Sequence, residues 1–174
     1  MSGFILPRLT LVLGGSNSGK SAYAENILTQ TERPKRYIAT AQAFDTEMQD
    51  KIDAHKAQRG PHWVTVEAPL DLSTALADAQ RGEVVLLDCV TMWINNLMYH
   101  DHDITAAFAT LNTALTTCAA PVVVVSNEVG LGGVSPDKLT RQFAKHQGRL
   151  NQRLGVLADR VIFVAAGLPM VLKG

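Results

Sequence analysis

The sequence is short of the features that mark several large classes of protein. It has only two cysteines, Cys89 and Cys118. Neither sits in a C-x-x-C pair, and no Cys/His group has zinc-ligand spacing, so a disulfide scaffold and a structural zinc site are both excluded. Two reduced, buried thiols are expected instead. Charge of either sign is scarce: Lys+Arg and Asp+Glu number 16 each, for a formal net charge of zero. A protein that grips nucleic acid through its phosphates is usually basic, so no nucleic-acid partner is expected. No apolar run reaches the ~18 residues of a membrane span. Met1–Leu6 has neither a basic segment nor a long apolar core, and a cytoplasmic protein without membrane insertion is the expectation. There is no repeat, no low-complexity tract, and no linker long enough to split the chain.

What remains is a compact chain of 174 residues, 47% hydrophobic and only 18% charged. That is the size of one ordinary domain with a real core. Strand-like and helix-like segments alternate. Arg8–Leu13, Lys35–Ala41, Trp63–Val66, Glu83–Asp88, Pro121–Val125, Arg160–Ala165 and Met170–Leu172 read as strands. The runs EVVLLD and PVVVV are apolar at successive positions, as suits strands buried on both faces. Helices are expected over Ser21–Gln30, Thr46–Arg59, Leu70–Ala79, Met92–Tyr99, Thr105–Thr117 and Pro136–Leu157. Thr46 and Gln49 have capping-box spacing. Ser135 with Pro136 reads as an N-cap followed by the first helical residue. Leu139, Phe143, Leu150, Leu154 and Leu157 form the apolar stripe of the last helix. The pattern predicts one α/β domain over residues 1–174, with a mostly parallel sheet and helices on both faces.

Between the first strand and the first helix lies Gly14-Gly15-Ser16-Asn17-Ser18-Gly19-Lys20-Ser21, a match to G-x-x-x-x-G-K-[ST]. Glycines let the backbone curl so that several N–H groups face one concavity, and the following helix adds its positive end. Lys20 then reaches the β- and γ-phosphates of a nucleoside triphosphate, and the Ser21 hydroxyl holds Mg²⁺. Asp88 closes the apolar strand Val84–Leu87, a position that suits a second Mg²⁺ ligand or, more plainly, a cap on the next turn.

Five histidines are present, and His55 stands out. It follows Met48 and Ile52 at helical spacing, so it lies at the apolar edge of its expected helix. Lys56 and Arg59 adjoin it. A neutral imidazole beside two cations suits attack on a phosphate, although spacing alone equally describes a half-buried structural histidine. Thr40, Ala41 and Gln42 follow the second strand, and Glu67 ends the third, at the carboxyl edge where α/β sheets bind ligands. Asn127-Glu128 ends the PVVVVSNE strand beside a glycine-rich loop and is a candidate for positioning a nucleophile or for shaping the site of the acceptor substrate. No N-K-x-D motif for guanine is present. Arg141, Lys145, Arg149 and Arg153 form a basic row expected to face solvent or a second subunit.

Several segments in this order resemble the adenosylcobinamide kinase/adenosylcobinamide-phosphate guanylyltransferase family. They are GGSNSGKS at 14–21, YIATA at 37–41 with DTEM at 45–48, KIDAHKAQRG at 51–60 and HWVTVE at 62–67. VVLLDCVTMWINNL at 84–97 and SNEVGLGGVSP at 126–136 with RLNQRL at 149–154 complete the set. The closing Gly167-Leu168-Pro169-Met170 matches only loosely. The resemblance implies a RecA-like P-loop NTPase fold, a homotrimer, and two reactions that use GTP and ATP. One moves a terminal phosphate to the aminopropanol hydroxyl of adenosylcobinamide. The other passes GMP from GTP through a histidine, which maps onto His55, to adenosylcobinamide phosphate. A P-loop kinase or triphosphatase without guanylyl transfer, and a nucleotide-dependent switch without turnover, are the readings to be told apart from it.

Overall fold

The computed structural model describes residues 5–42 and 62–174. The expected helix over Thr46–Arg59, with His55, Lys56 and Arg59, lies outside the described residues. Seven strands form one sheet. In chain order the elements are β1 (Leu9–Gly14), α1 (Lys20–Thr29), β2 (Lys35–Ala39), β3 (Trp63–Glu67), α2 (Leu72–Ala77) and β4 (Val84–Asp88). They continue with α3 (Val90–Tyr99), α4 (Ile104–Thr117), β5 (Val122–Asn127), α5 (Lys138–Leu157), β6 (Arg160–Ala165) and β7 (Leu168–Lys173). The strand order is β3-β2-β4-β5-β1-β6-β7. All pairings are parallel except β6 with β7. The mostly parallel α/β sheet read from the sequence is therefore present.

Strand alternation sorts the core into two layers. On one face Val12, Val84, Leu86, Val123, Val125, Ile162 and Val164 pack with Ala24, Ile27 and Leu28 of α1. On the other, Leu9, Leu11, Val85, Leu87, Val122 and Val124 pack with residues of α2, α3, α4 and α5, among them Leu76, Trp93, Leu111, Leu150 and Leu154. Among the described residues, α1 thus has one face of the sheet and four helices share the other.

Several boundaries differ from the sequence reading. The second strand stops at Ala39, not Ala41, because Thr40 leaves the ladder to bond with Cys89. The helix expected over Leu70–Ala79 is only Leu72–Ala77. Asp71 caps it and accepts from the Thr74 N–H at 3.0 Å. The last helix is capped by Asp137, not Ser135, and starts at Lys138. The Asp137 carboxylate reaches the Thr140 N–H at 2.7 Å, three residues on, as an N-cap should. Pro136 therefore precedes the helix. Leu139, placed in the apolar stripe, is 62% exposed, whereas Leu150 and Leu154 are buried. It lies in the first turn, beyond the part of α5 that crosses the core. The final strand is longer than Met170–Leu172. It pairs back on β6 through Ala166-Gly167, with φ of 51° and 76°. Positive φ at both central residues is what a tight two-residue hairpin with the correct twist requires.

Candidate functional site

The parallel strands place Gly14, Ala39, Glu67, Asp88 and Asn127 at their carboxyl ends, along one edge of the sheet. The loop Gly14–Gly19 runs from the end of β1 straight into α1. Gly19 stands at the N-cap with φ of 91° and supplies no side-chain cap. The first N–H groups of α1 are thereby left to face the concavity of the loop. Two glycines are needed here for space. A Cβ on Gly14 would stand 2.6 Å from the Val164 carbonyl oxygen, and one on Gly19 would stand 3.1 Å from the Gly167 Cα. The loop is braced by the β6–β7 turn, whose Gly167 N–H donates to the Ser18 carbonyl at 2.8 Å. The loosely matching closing segment therefore backs the phosphate loop.

Lys20 is buried, and its Nζ donates to the Gly15 carbonyl at 3.0 Å. Burial pushes its pKa below the ordinary lysine value, while the nearby Cys89 and Asp88 pull it back up. An ammonium held in that setting is poised for an anionic partner. Asp88 accepts from the Tyr37 hydroxyl at 3.2 Å. It ends β4 on the same face as Val84 and Leu86, the face covered by α1. Ser21 lies in the first turn of α1, half-buried. The peptide between Asp88 and Cys89 is cis. Burial, then the Asp88 charge, push the Cys89 thiol up to about 11. Cys89 and Cys118 are both free, and only half-buried.

Beyond β2 the structure brings together residues that are separate in the sequence. Thr40 is fully buried. Its hydroxyl donates to the Cys89 carbonyl at 2.7 Å and accepts from the Cys89 N–H at 3.0 Å. Its side chain is thus committed to the end of β4, and its backbone is engaged too, the N–H with the Asp88 carbonyl at 3.4 Å and the carbonyl with Asn96 Nδ2 at 2.7 Å, so Ala41 and Gln42 are what this stretch offers a ligand. Gln42 Oε1 is buried without a hydrogen-bond partner among the described residues. Glu67, at the end of β3, is exposed and lies two strands away from Asp88. The basic row on α5 is exposed as expected, with the Arg153 guanidinium 5.7 Å from the Phe108 ring centroid. No group of three or more His, Cys, Asp or Glu that could hold a metal occurs among the described residues.

A set of buried amides was not recognised in the sequence. Asn96 of α3 is fully buried and donates to Thr40 O at 2.7 Å and Pro69 O at 2.9 Å. Gln147 and Asn151 of α5 meet Ser126 under the end of β5. Ser126 Oγ donates to Asn151 Oδ1 at 2.6 Å, and Gln147 Nε2 donates to Ser126 Oγ at 2.7 Å. Their signal is in the sequence all the same: 147 and 151 fall in phase with Leu150 and Leu154, on the side of α5 that must be buried.

The family model described as cobinamide kinase/cobinamide phosphate guanyltransferase matches residues 10–172, which is nearly the whole chain. This chain belongs to that family. It is 41% identical over 167 residues to the bifunctional adenosylcobalamin biosynthesis protein CobP of Pseudomonas aeruginosa, covering 94% of this chain and 96% of that protein. It is 38% identical over 181 residues to the bifunctional adenosylcobalamin biosynthesis protein CobU of Escherichia coli, covering 95% and 99%. Among solved structures it is similar to the flagellar accessory protein FlaH of Methanocaldococcus jannaschii. That match has a TM-score of 0.55 at 13% identity and covers 99% of this chain and 81% of that one. An ATPase of a bacterial type III secretion system matches with a TM-score of 0.57 at 11% identity, covering 95% and 57%. At such identities these two likenesses show the fold alone, the RecA-like P-loop arrangement.

Proposed function

We propose that this chain, as one catalytic domain, phosphorylates adenosylcobinamide and then transfers a guanylyl group to the product. The observation that carries the reading is a phosphate cradle, Gly14–Ser21, inside a chain that the family model matches from residue 10 to residue 172.

In the first reaction the aminopropanol hydroxyl of adenosylcobinamide attacks the terminal phosphorus of ATP or GTP. The new O–P bond forms as the bond to the β–γ bridging oxygen breaks, and the nucleoside diphosphate leaves. The loop Gly14, Gly15, Ser16, Asn17, Ser18, Gly19 and the start of α1 hold the phosphates, and Lys20 neutralises charge as it develops. The Ser21 hydroxyl and the Asp88 carboxylate are hard oxygen donors. They fit Mg²⁺ as it binds in such sites, through one or two protein groups with phosphate and water completing the shell. When bound, that ion supplies charge neutralisation on the phosphates.

In the second reaction a ring nitrogen of His55 attacks the α-phosphorus of GTP, and pyrophosphate leaves. A phosphate oxygen of adenosylcobinamide phosphate then displaces the histidine, giving adenosylcobinamide-GDP and restoring the imidazole. Lys56 and Arg59, beside His55 in sequence, balance the phosphoryl charge. Thr40, Ala41 and Gln42, which follow β2, and Glu67, at the end of β3, complete the nucleotide site.

A homotrimer in the cytoplasm is the matching assembly. The exposed apolar side chains of β7, Leu168 at 69% and Leu172 at 60%, are surface that contact between copies would bury.

The direct test uses GTP labelled at either the α- or the γ-phosphate. After incubation with Mg²⁺ and denaturation, α-label should stay on the chain, labile in acid and stable in base, and should be absent from His55→Ala. That variant should still phosphorylate adenosylcobinamide. Undiminished label on His55→Ala would refute the nucleophile. No retained α-label on the parent, with nucleotide binding intact, would leave only a P-loop kinase or switch.

A further inference from the structure

Strand alternation makes Asn127 a different kind of residue from its neighbour Ser126. Val122, Val124 and then Ser126 face α3 and α5, whereas Val123 and Val125 belong to the layer under α1. Asn127 continues that second series, so its side chain belongs to the side where α1 begins. Its register partner on β1 is Gly14, the first residue of the phosphate loop. The following residue reinforces the pairing, since the Glu128 N–H donates to the Gly14 carbonyl at 3.0 Å. Asp88 ends the neighbouring β4 on that same side, where Asp88 pairs with Val125 in register.

The backbone of Asn127 is held on both sides. Its N–H donates to Thr91 Oγ1 at 2.8 Å, and its carbonyl accepts from Asn151 Nδ2 at 3.0 Å. Asn151 is in turn fixed by Ser126 and Gln147. Three buried polar side chains on α5 and β5 thus immobilise one strand end. Yet the group they present is left over: Asn127 Oδ1 is buried and has no hydrogen-bond partner among the described residues. Buried polar atoms are almost always paired, so a rigidly mounted one without a partner points to a ligand.

We propose that the Asn127 carboxamide contacts the terminal phosphate of the bound triphosphate and the hydroxyl that attacks it. This rests on the kinase reaction proposed above. Nδ2 donates to an oxygen of the terminal phosphate, and Oδ1 accepts from the incoming hydroxyl. A carboxamide is no base. The hydroxyl proton goes to solvent as the O–P bond forms and the nucleoside diphosphate leaves. Asn127 contributes orientation and charge stabilisation, and Thr91 and Asn151 are the positioning residues behind it.

The test measures adenosylcobinamide phosphorylation by the full-length protein, together with GDP affinity and the melting temperature. GDP fills the cradle but lacks the terminal phosphate. Asn127→Ala should lower kcat by about 10²-fold, the size seen when one such hydrogen-bonding group is removed. The KM for the triphosphate should move by less than about threefold, and GDP affinity and melting temperature should hold, because the lost contact acts on the transferring group. Asn127→Asp keeps the shape but sets a carboxylate against the phosphate. It should lose as much kcat and weaken triphosphate binding relative to GDP. The inference is overturned if Asn127→Ala keeps kcat within about threefold of an active parent. It is equally overturned if kcat, GDP affinity and melting temperature all fall together, which is what mere support of the strand end would give. Should Asn127→Ala not fold, the isosteric Asn127→Asp decides, and full activity there refutes the contact. A folded parent that binds GDP but does not phosphorylate adenosylcobinamide overturns the proposed function itself, and this contact with it.

Discussion

Replacing Asn96 with alanine should remove about 3 kcal/mol of stability, and the structure shows where that figure comes from. The side chain is fully buried on α3 and its Nδ2 serves two carbonyls, Thr40 O at 2.7 Å and Pro69 O at 2.9 Å. Each hydrogen bond contributes about 1 kcal/mol net, and each carbonyl left buried without a donor costs a further ~1–3 kcal/mol. Against this, Asn96 Oδ1 is itself buried and unpaired among the described residues, so deleting it returns about 1 kcal/mol. Those figures leave a loss of roughly 3–7 kcal/mol, and the lower end is expected because water reaching the vacated space partly serves the two carbonyls. With a urea slope of about 2 kcal/mol/M, the unfolding midpoint should fall by about 1.5 M at unchanged slope. Asn96→Asp should fare worse near neutral pH, where a carboxylate faces two carbonyls. Its folded-state pKa would then lie above the unfolded one, because only the protonated acid donates. That variant should therefore gain stability relative to the parent as pH falls, and lose it as pH rises through the folded pKa. The functional consequence is specific. Thr40 and Pro69 precede and follow residues 43–61 in the chain, the stretch that includes His55. Loosening both should lower guanylyl capture more than GDP binding. A urea midpoint for Asn96→Ala within about 0.3 M of the parent would refute the reasoning.

Gly14→Ala should impair both folding and binding, since its Cβ would stand 2.6 Å from a backbone oxygen, that of Val164, which cannot move aside like a flexible side chain. A loss of about 1–3 kcal/mol in urea unfolding and a matching fall in triphosphate affinity by calorimetry are expected. Asp71→Ala tests the cap of α2. Hydrogen bonds from the side chains of Thr74 and Ser73, and from the Thr74 N–H, hold the Asp71 carboxyl down at about 2. Its folded pKa is depressed, so its contribution is present above the ordinary carboxylate value and is lost as pH falls toward about 2. The site is exposed and screened by solvent, so the parent should exceed the variant by only about 1 kcal/mol at pH 7. That gap, read from denaturant unfolding across pH, should close in acid. A gap independent of pH would mean the carboxylate is not the capping species.

The parallel sheet could be read from the sequence because strands buried on both faces leave runs such as Val84–Leu87 and Val122–Val125 with no other economical home. The strand order could not, since a run of valines does not state its neighbours. Ends of elements were misplaced where two local options compete and a distant partner decides. Thr40 continues the β pattern locally but is drawn off by Cys89, 49 residues away. Ser135 and Asp137 are both plausible caps, and geometry selects Asp137 because its carboxylate meets the Thr140 N–H. Leu139 has the right period and the wrong place, one turn beyond the core. The phosphate loop was legible because its chemistry is contiguous. The amides that stiffen the site were not, because, apart from the Gln147–Asn151 contact within α5, each partner lies 21 to 56 residues from its mate.

The polar groups at the strand ends fall into two sets, and that division argues for where ligand sits. On the face of α3 and α5, Ser126, Asn151, Thr40 and Thr91 all bond within the protein at the strand ends. On the α1 side, Ser18 Oγ and Asn127 Oδ1 are buried and unpartnered among the described residues, beside a desolvated Lys20. Unmet buried polar atoms each cost about 1–3 kcal/mol, so a fold keeps them together only where something else satisfies them. A triphosphate at the start of α1 serves Ser18, Lys20 and the loop N–H groups, whose protons its oxygens accept, while Asn127 Oδ1, itself an acceptor, is left for a hydroxyl donor. The hydrogen-bonded set on the α3 and α5 side then acts as the rigid mount. It fixes the strand ends from behind, so that the unsaturated side can hold phosphate geometry without rearranging when the substrate arrives.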